Sequence, residues 1–244
     1  MRPAFGFPSG TLAAVSDRQE PARRGWFITV EGPDGAGKTL VAGRLRAALE
    51  ARGLTVVATR EPGGTAVGER VRRIVLDHAP DDVPLDPRTD ALLFSAARAQ
   101  LVAEVIEPAL AAGRLVLGAR HSDSTLAYQG FGGGLPVARL RELQDFATGG
   151  LRPDLTLLLD LPVEVGLARK QADEQTRFEA IFDLAFHRRV RDGYLALAAE
   201  EPDRFAIIDA TAPVDVVVER ALEAILARIG TMTEPASAAL RIHR

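Results

Sequence analysis

The sequence predicts an α/β domain in which a five-stranded parallel sheet is covered by helices on both faces. Three observations carry this. Five short apolar runs recur along the chain, at Trp26–Glu31, Leu54–Thr59, Arg114–Gly118, Leu155–Asp160 and Phe205–Asp209. Between them lie longer segments with apolar residues at helical spacing. Glycine and proline mark the junctions, as at Gly32-Pro33, at Pro62-Gly63-Gly64 and at Pro162. Strands separated by helices must be joined by crossovers, so they run parallel and are buried on both faces.

Taken in order, residues 1–24 mix Pro, Gly, Ser and charges without periodicity and predict a flexible extension. The first strand leads through a glycine-rich turn into a helix over Leu40–Arg52, with Val41, Leu45, Ala48 and Leu49 on its apolar face. The second strand stops at Arg60-Glu61-Pro62-Gly63-Gly64, and helices are expected over Thr65–Asp77 and Thr89–Leu110, with Pro108 bending or ending the latter. The third strand carries Ala119-Arg120-His121 at its end and a polar turn over Ser122–Thr125. A helix over Pro136–Thr148, the fourth strand, and a helix opening after Pro162 come next. A long amphipathic helix over Phe178–Ala199, the fifth strand and a helix over Val214–Ile229 complete a domain spanning 25–230, with a frayed tail over 231–244.

Bulk properties narrow the function. The 244 residues suit one medium-sized domain, 47% hydrophobic and 26% charged. A formal net charge of -3 offers no whole-molecule attraction to nucleic acid or to an anionic membrane. The absence of cysteine excludes disulfides and thiolate chemistry, and four scattered His argue against a zinc site. No apolar run approaches the roughly 18 residues that span a bilayer. Pro3, Gly6, Pro8 and Gly10 break up any signal-peptide core, so a cytoplasmic location is expected.

The glycine-rich turn carries the chemistry. Phe27–Thr39, FITVEGPDGAGKT, fits the phosphate-binding pattern G-x-x-x-x-G-K-[ST] at Gly32, Gly37, Lys38 and Thr39. Phosphate oxygens need several inward-pointing backbone N–H groups, which glycines permit, and the helix N-terminus adds positive charge. Lys38 would reach the β- and γ-phosphates, and the Thr39 hydroxyl would ligate Mg²⁺. A kinase acting on a small phosphorylated acceptor needs a second phosphate site opposite, for which Arg60, Arg72, Arg98 and Arg120 are candidates. For any single arginine a solvated helix face or a surface ion pair is the commoner role, but Arg60 and Arg120 each directly follow a strand end. Loops at the carboxyl ends of parallel strands should bring these residues to one cleft.

Further stretches fall into a recognisable series: TREPGGTAVGERVR at Thr59–Arg72, ALLFSAARAQ at Ala91–Gln100, RHSDSTLAYQG at Arg120–Gly130, RFE at Arg177–Glu179, then VRDGYLALA and FAIIDA. With the phosphate loop, their order and spacing from about residue 26 to 228 resemble the thymidylate kinase family. The resemblance implies a P-loop nucleoside monophosphate kinase fold, phosphorylation of dTMP by ATP with Mg²⁺, and a homodimer. Carried over, Gly32, Gly35, Ala36, Gly37, Lys38 and Thr39 would hold ATP and Mg²⁺, with Asp34 near the acceptor's sugar and phosphate. Phe94 would stack on thymine, Arg98 would bond its carbonyl edge, and Arg72 and Arg120 would hold the acceptor phosphate, with Arg60 a further candidate. Ser124, Thr125 and Gln129 would surround the base, and Tyr128 would crowd the sugar in favour of deoxyribose. Segment 169–177 falls where the family has its lid. With glycine at position 35, a catalytic arginine would come from that lid, as in the bacterial type, from among Arg169, Lys170 and Arg177.

The chain departs from the family pattern at Ala97, Ala119 and Thr176, each beside a retained arginine where the family commonly has Asp. An arginine without its carboxylate is expected to be more loosely oriented. Asp123 or Asp160 would have to compensate near the metal. The alternative reading is a nucleotide-binding protein of the same fold with weak or no catalysis, or a kinase for a different nucleoside monophosphate.

Overall fold

The computed structural model describes residues 25–76, 85–170 and 182–231. The extension over 1–24, the tail beyond 231 and all of the expected lid after Lys170 lie outside the described residues.

Five parallel strands form one sheet in the order β2-β3-β1-β4-β5: β1 Phe27–Glu31, β2 Val56–Arg60, β3 Leu115–Ala119, β4 Leu155–Asp160 and β5 Phe205–Asp209. Register pairs Ile28 with Leu117 and Leu155, and Arg60 with Ala119, which sets the strand ends side by side. Because β1 lies between β3 and β4, successive crossovers leave it on opposite sides. The crevice beyond its carboxyl end is the position where such sheets bind ligands.

Side chains alternate along each strand and feed apolar clusters on both faces of the sheet. Ile28, Val30, Leu117, Leu157 and Leu159 meet Val41, Leu45 and Leu49 of α1 (Lys38–Glu50) together with Val217, Ala221 and Ile225 of α9 (Val214–Thr231). On the other face Phe27 and Val116 pack on Leu101, Ile106 and Leu110, while Leu158 packs on Val190, Tyr194 and Leu197 of α8 (Leu184–Glu200). Truncating a side chain such as the fully buried Leu45 to Ala is expected to cost about 2–5 kcal/mol.

Three expectations need correction. The helix expected over Thr89–Leu110 is α3 (Pro87–Leu101), a π-helical turn over Val102–Ile106, and α4 (Glu107–Ala111). Pro108 sits just beyond the widened turn; a proline ring clashes with the carbonyl four residues back in regular α geometry, and the π turn moves that carbonyl aside. The expected polar turn at Ser122 is helical: α5 (Ser122–Thr125) runs into a second π stretch, Leu126–Gly132. The long helix expected over Phe178–Ala199 is described from Leu184, where the Asp183 carboxylate accepts from the Phe186 N–H (2.8 Å) and caps it; residues 178–181 lie outside the described residues. The remaining helices are α2 (Ala66–Leu76), α6 (Val137–Thr148) and α7 (Val163–Arg169).

Candidate active site

The loop between β1 and α1 is shaped by three glycines and one lysine. A Cβ on Gly32 would stand 2.4 Å from the Leu159 carbonyl oxygen, so only glycine lets the loop leave the sheet there. Gly35 has φ 74°, and its Cβ would lie 1.8 Å from the Gly166 carbonyl oxygen of α7. Gly37 enters α1 from the left-handed region (φ 83°) without a side-chain cap, and the first turn of α1 contains no acidic residue. The helix therefore presents uncapped N–H groups and an unneutralised positive end, the requirement for meeting phosphate. Lys38 Nζ donates to the Gly32 and Pro33 carbonyls (2.9 and 2.7 Å), tying its ammonium across the loop. Burial, followed by the neighbouring Arg120, pushes Lys38 down to about 7.

A single cavity of about 1140 Å³ opens over this loop. It exceeds the roughly 300–1,000 Å³ of a site for one small ligand. Sheet order divides its wall. On the β2–β3 side stand Arg60, Arg72, Phe94, Arg98, Arg120, Ser124, Thr125, Tyr128 and Gln129; on the β4–β5 side stand Arg169, Lys170 and Ala210–Val214. In between lie Asp34, Gly35, Ala36, Gly37, Lys38 and Thr39. Every candidate residue from the sequence therefore lines one cavity, apart from Gly32, which supports the loop from behind, and Arg177, which lies outside the described residues.

Arg120 and Arg98 are anchored, contrary to expectation, whereas Arg177 beside Thr176 lies outside the described residues. Arg120 follows β3 with φ 70°, the one non-glycine residue among those described with positive φ, a conformation costing about 1–3 kcal/mol. Its Nη2 donates to Asp34 Oδ1 (2.7 Å) and to the Tyr128 hydroxyl (3.3 Å), and its Nη1 to Ser124 Oγ (3.2 Å). Burial works to raise the Asp34 carboxyl, but Arg120, Lys38 and Lys170 overcome it and hold the group at about 2. The carboxylate missing at Ala119 is thus supplied to Arg120 from the phosphate loop.

Arg98 is 1% exposed and equally fixed. Its Nε donates to Glu61 Oε2 (2.8 Å), Nη1 to Thr125 Oγ1 (3.0 Å) and to Gln144 Oε1, and Nη2 to the His121 carbonyl (3.0 Å). Burial works to raise Glu61, and Arg98 with His121 hold it below the usual range. Ala97 faces Val71 and Val75 in an apolar cluster, so an aspartate is not what orients Arg98 here. Arg72 Nη1 donates to the Pro62 carbonyl (2.9 Å), and the exposed Arg60 pairs with Glu69 (3.1 Å).

Neither proposed compensating carboxylate reaches the cavity. Both oxygens of Asp123 accept from Arg204, at 2.7 and 2.9 Å, and those of Asp160 from Arg191, at 2.7 and 2.8 Å. On the β4–β5 side, Arg169 Nη1 donates to the Ala210 carbonyl at the end of β5 (2.9 Å), whereas Lys170 bears electrostatically on Asp34 and Lys38. Among the described residues, no group of three or more His, Cys, Asp or Glu is arranged to hold a metal. The exposed Thr39 hydroxyl is an oxygen donor at the loop, which suits a hard cation that takes most of its ligands from phosphates and water.

Sequence reasoning missed Glu31, Glu61, Gln144 and Tyr194. Glu31 had a visible signal, a charge closing an otherwise apolar, wholly buried strand. His187, Arg191 and Tyr194 fall at i, i+4 and i+7 on one face of α8, and His187 approaches Asp34, Arg191 pairs with Asp160 and the Tyr194 hydroxyl donates to Glu31.

A phosphate loop at the switch point of a doubly wound parallel sheet, facing a wall that carries Arg60, Arg72, Arg98 and Arg120, defines a P-loop kinase of small phosphorylated acceptors. Comparison with known proteins narrows the class: a profile described as thymidylate kinase matches residues 30–221. Thymidylate kinases of Deinococcus radiodurans and Thermomicrobium roseum are each 53% identical, over 79% and 80% of this chain and 92% and 91% of their own lengths. That of Pseudomonas fluorescens is 50% identical over 83% of the chain and 95% of its own. The chain belongs to the thymidylate kinase family.

Proposed function

We propose that the protein transfers the γ-phosphoryl group of ATP to dTMP, with Mg²⁺. The observation that carries this reading is the continuity of one cavity from the phosphate loop to the wall of Phe94, Arg72, Arg98 and Arg120. ATP would lie over Gly35–Thr39 toward Ala210–Val214, with Lys38 on its β- and γ-phosphates. Mg²⁺ would be held by Thr39 and the phosphates, where it neutralises their charge.

Arg120 and Arg72 would hold the acceptor phosphate in line, and Asp34 would keep Arg120 aimed. Phe94 would stack on the thymine. Arg98 already spends four of its five N–H groups on protein acceptors, leaving one for the base. Tyr128, buried over Arg120 with its ring centroid 4.9 Å from the guanidinium carbon, would restrict the sugar. Arg169 or Lys170 would supply charge from the other side; the Ala210 bond of Arg169 favours Lys170 for the transferring group.

A homodimer is part of the same proposal. Helix α3 packs against both α2 and α6, and these helices expose Ile74, Leu92 and, at 87%, Phe146. A second copy of the chain would cover them. Sedimentation of wild type beside Phe146→Glu tests this, with a monomeric wild type overturning it. The enzymatic reading is tested by coupled ADP release with a panel of nucleoside monophosphates, where background turnover of dTMP with ample ATP and Mg²⁺ would refute it.

A further inference from the structure

Behind the cavity, which it meets through Ser124, a buried polar cluster joins the end of β1 to α8. Glu31 is wholly buried, yet all its partners are in place: Oε1 accepts from the His121 N–H (2.6 Å), and Oε2 from Ser124 Oγ (2.6 Å) and the Tyr194 hydroxyl (3.0 Å). Ser124 Oγ and the Tyr194 hydroxyl are themselves 2.8 Å apart. Both oxygens face one nitrogen, Arg120 Nη1, at 3.2 and 3.5 Å. The Tyr194 ring is fully buried and meets the Tyr128 ring edge-on, with centroids 6.3 Å apart.

The cluster meets Arg120 at both ends. Glu31 accepts from the N–H of the residue after Arg120, which pins the main chain just where Arg120 adopts its strained φ. Through Ser124 and Tyr194 it also holds the guanidinium on the edge opposite Asp34. A buried carboxylate and phenol are costly to keep unless fully paired, and such networks specify a single geometry.

We propose that Tyr194 and Glu31 are positioning residues that preset the Arg120 guanidinium for the acceptor's phosphate. Tyr194 comes from the helix that follows segment 171–181, and Glu31 comes from the strand that feeds the phosphate loop. The acceptor arginine is therefore braced from β1 and from α8. This rests on the assignment of Arg120 to the acceptor phosphate.

Tyr194→Phe tests it, because the ring stays and only the hydroxyl goes; Glu31→Gln, which keeps the shape, is the second variant. The expected result for each is about a tenfold rise in the dissociation constant for nucleoside monophosphates by calorimetry, the effect of one buried hydrogen bond. The KM for ATP should stay within about twofold, and in an Arg120→Ala background neither change should weaken monophosphate binding further. Unchanged monophosphate affinity, equal losses for ATP and monophosphate, or full additivity with Arg120→Ala would each overturn the proposal. Phosphate is common to every nucleoside monophosphate, so the binding comparison stands whichever base is preferred. Failure of wild type to turn over dTMP would strike the assigned reaction alone.

Discussion

Arg120 Nη2 lies 2.7 Å from Asp34 Oδ1, so a residue leaving β3 and a residue inside the phosphate loop form a single charged unit. Asp34→Asn keeps the shape and removes the charge that aims the arginine. Steady-state assays should show kcat for dTMP falling about 10²- to 10³-fold, the usual cost of losing one preorganised electrostatic group. A variant within threefold of wild type would mean that Arg120 is aimed by its other partners alone.

Glu61 is the sole carboxylate bonded to the buried Arg98 among the described residues, and it also accepts from or bonds His121 Nδ1 (2.8 Å). Glu61→Ala should destabilise the fold by about 3–5 kcal/mol, since it strands a buried cation, and lower Tm by roughly 10 °C. Thermal denaturation checks this. Arg98→Met in the same background should recover part of the loss, because it removes the orphaned charge.

Glu31 sets a pH dependence of stability. Burial, followed by repulsion from Asp123, pushes its carboxyl from 4.5 up to about 7. Between those values the folded protein binds more protons than the unfolded chain, so this contribution is complete below about pH 4.5 and is lost as pH rises through 7. Urea denaturation of wild type against Glu31→Gln should show the difference moving in the variant's favour from pH 5 to pH 8, by up to about 3 kcal/mol. A constant difference would mean that the carboxylate is ionised throughout.

Ala119 lines the cavity at the end of β3, beside an arginine that already has its carboxylate. Ala119→Asp should therefore bring no gain in kcat, and turnover assays at saturating ATP, dTMP and Mg²⁺ measure it. A rise of tenfold or more would identify a missing metal or arginine partner.

The strands and the phosphate loop were legible because their signals are local: apolar runs of five or six residues, and glycines at fixed offsets before Lys38. Arg120, Phe94 and Tyr128 were legible as part of a family pattern. What supports them was not. Glu61 is 37 residues from Arg98, Asp34 is 86 from Arg120 and Glu31 is 163 from Tyr194, so these pairings exist only once the sheet has formed and α3 and α8 have packed on it. The expectation of loosened arginines failed at Arg98 and Arg120 for that reason: it looked for a carboxylate next door in sequence, and the fold supplies one from a distant segment. Both π stretches also escaped notice, since one extra residue in a helical turn barely changes the apolar spacing.

The contact between Gly35 and Gly166 reaches beyond packing. Backbone meets backbone there from both directions, since a Cβ on Gly166 would itself stand 2.3 Å from the Asp34 carbonyl oxygen. Neither position can acquire a side chain without the other segment giving way. A cation at position 35 would therefore require α7 to retreat from the loop, so the two segments can change only together.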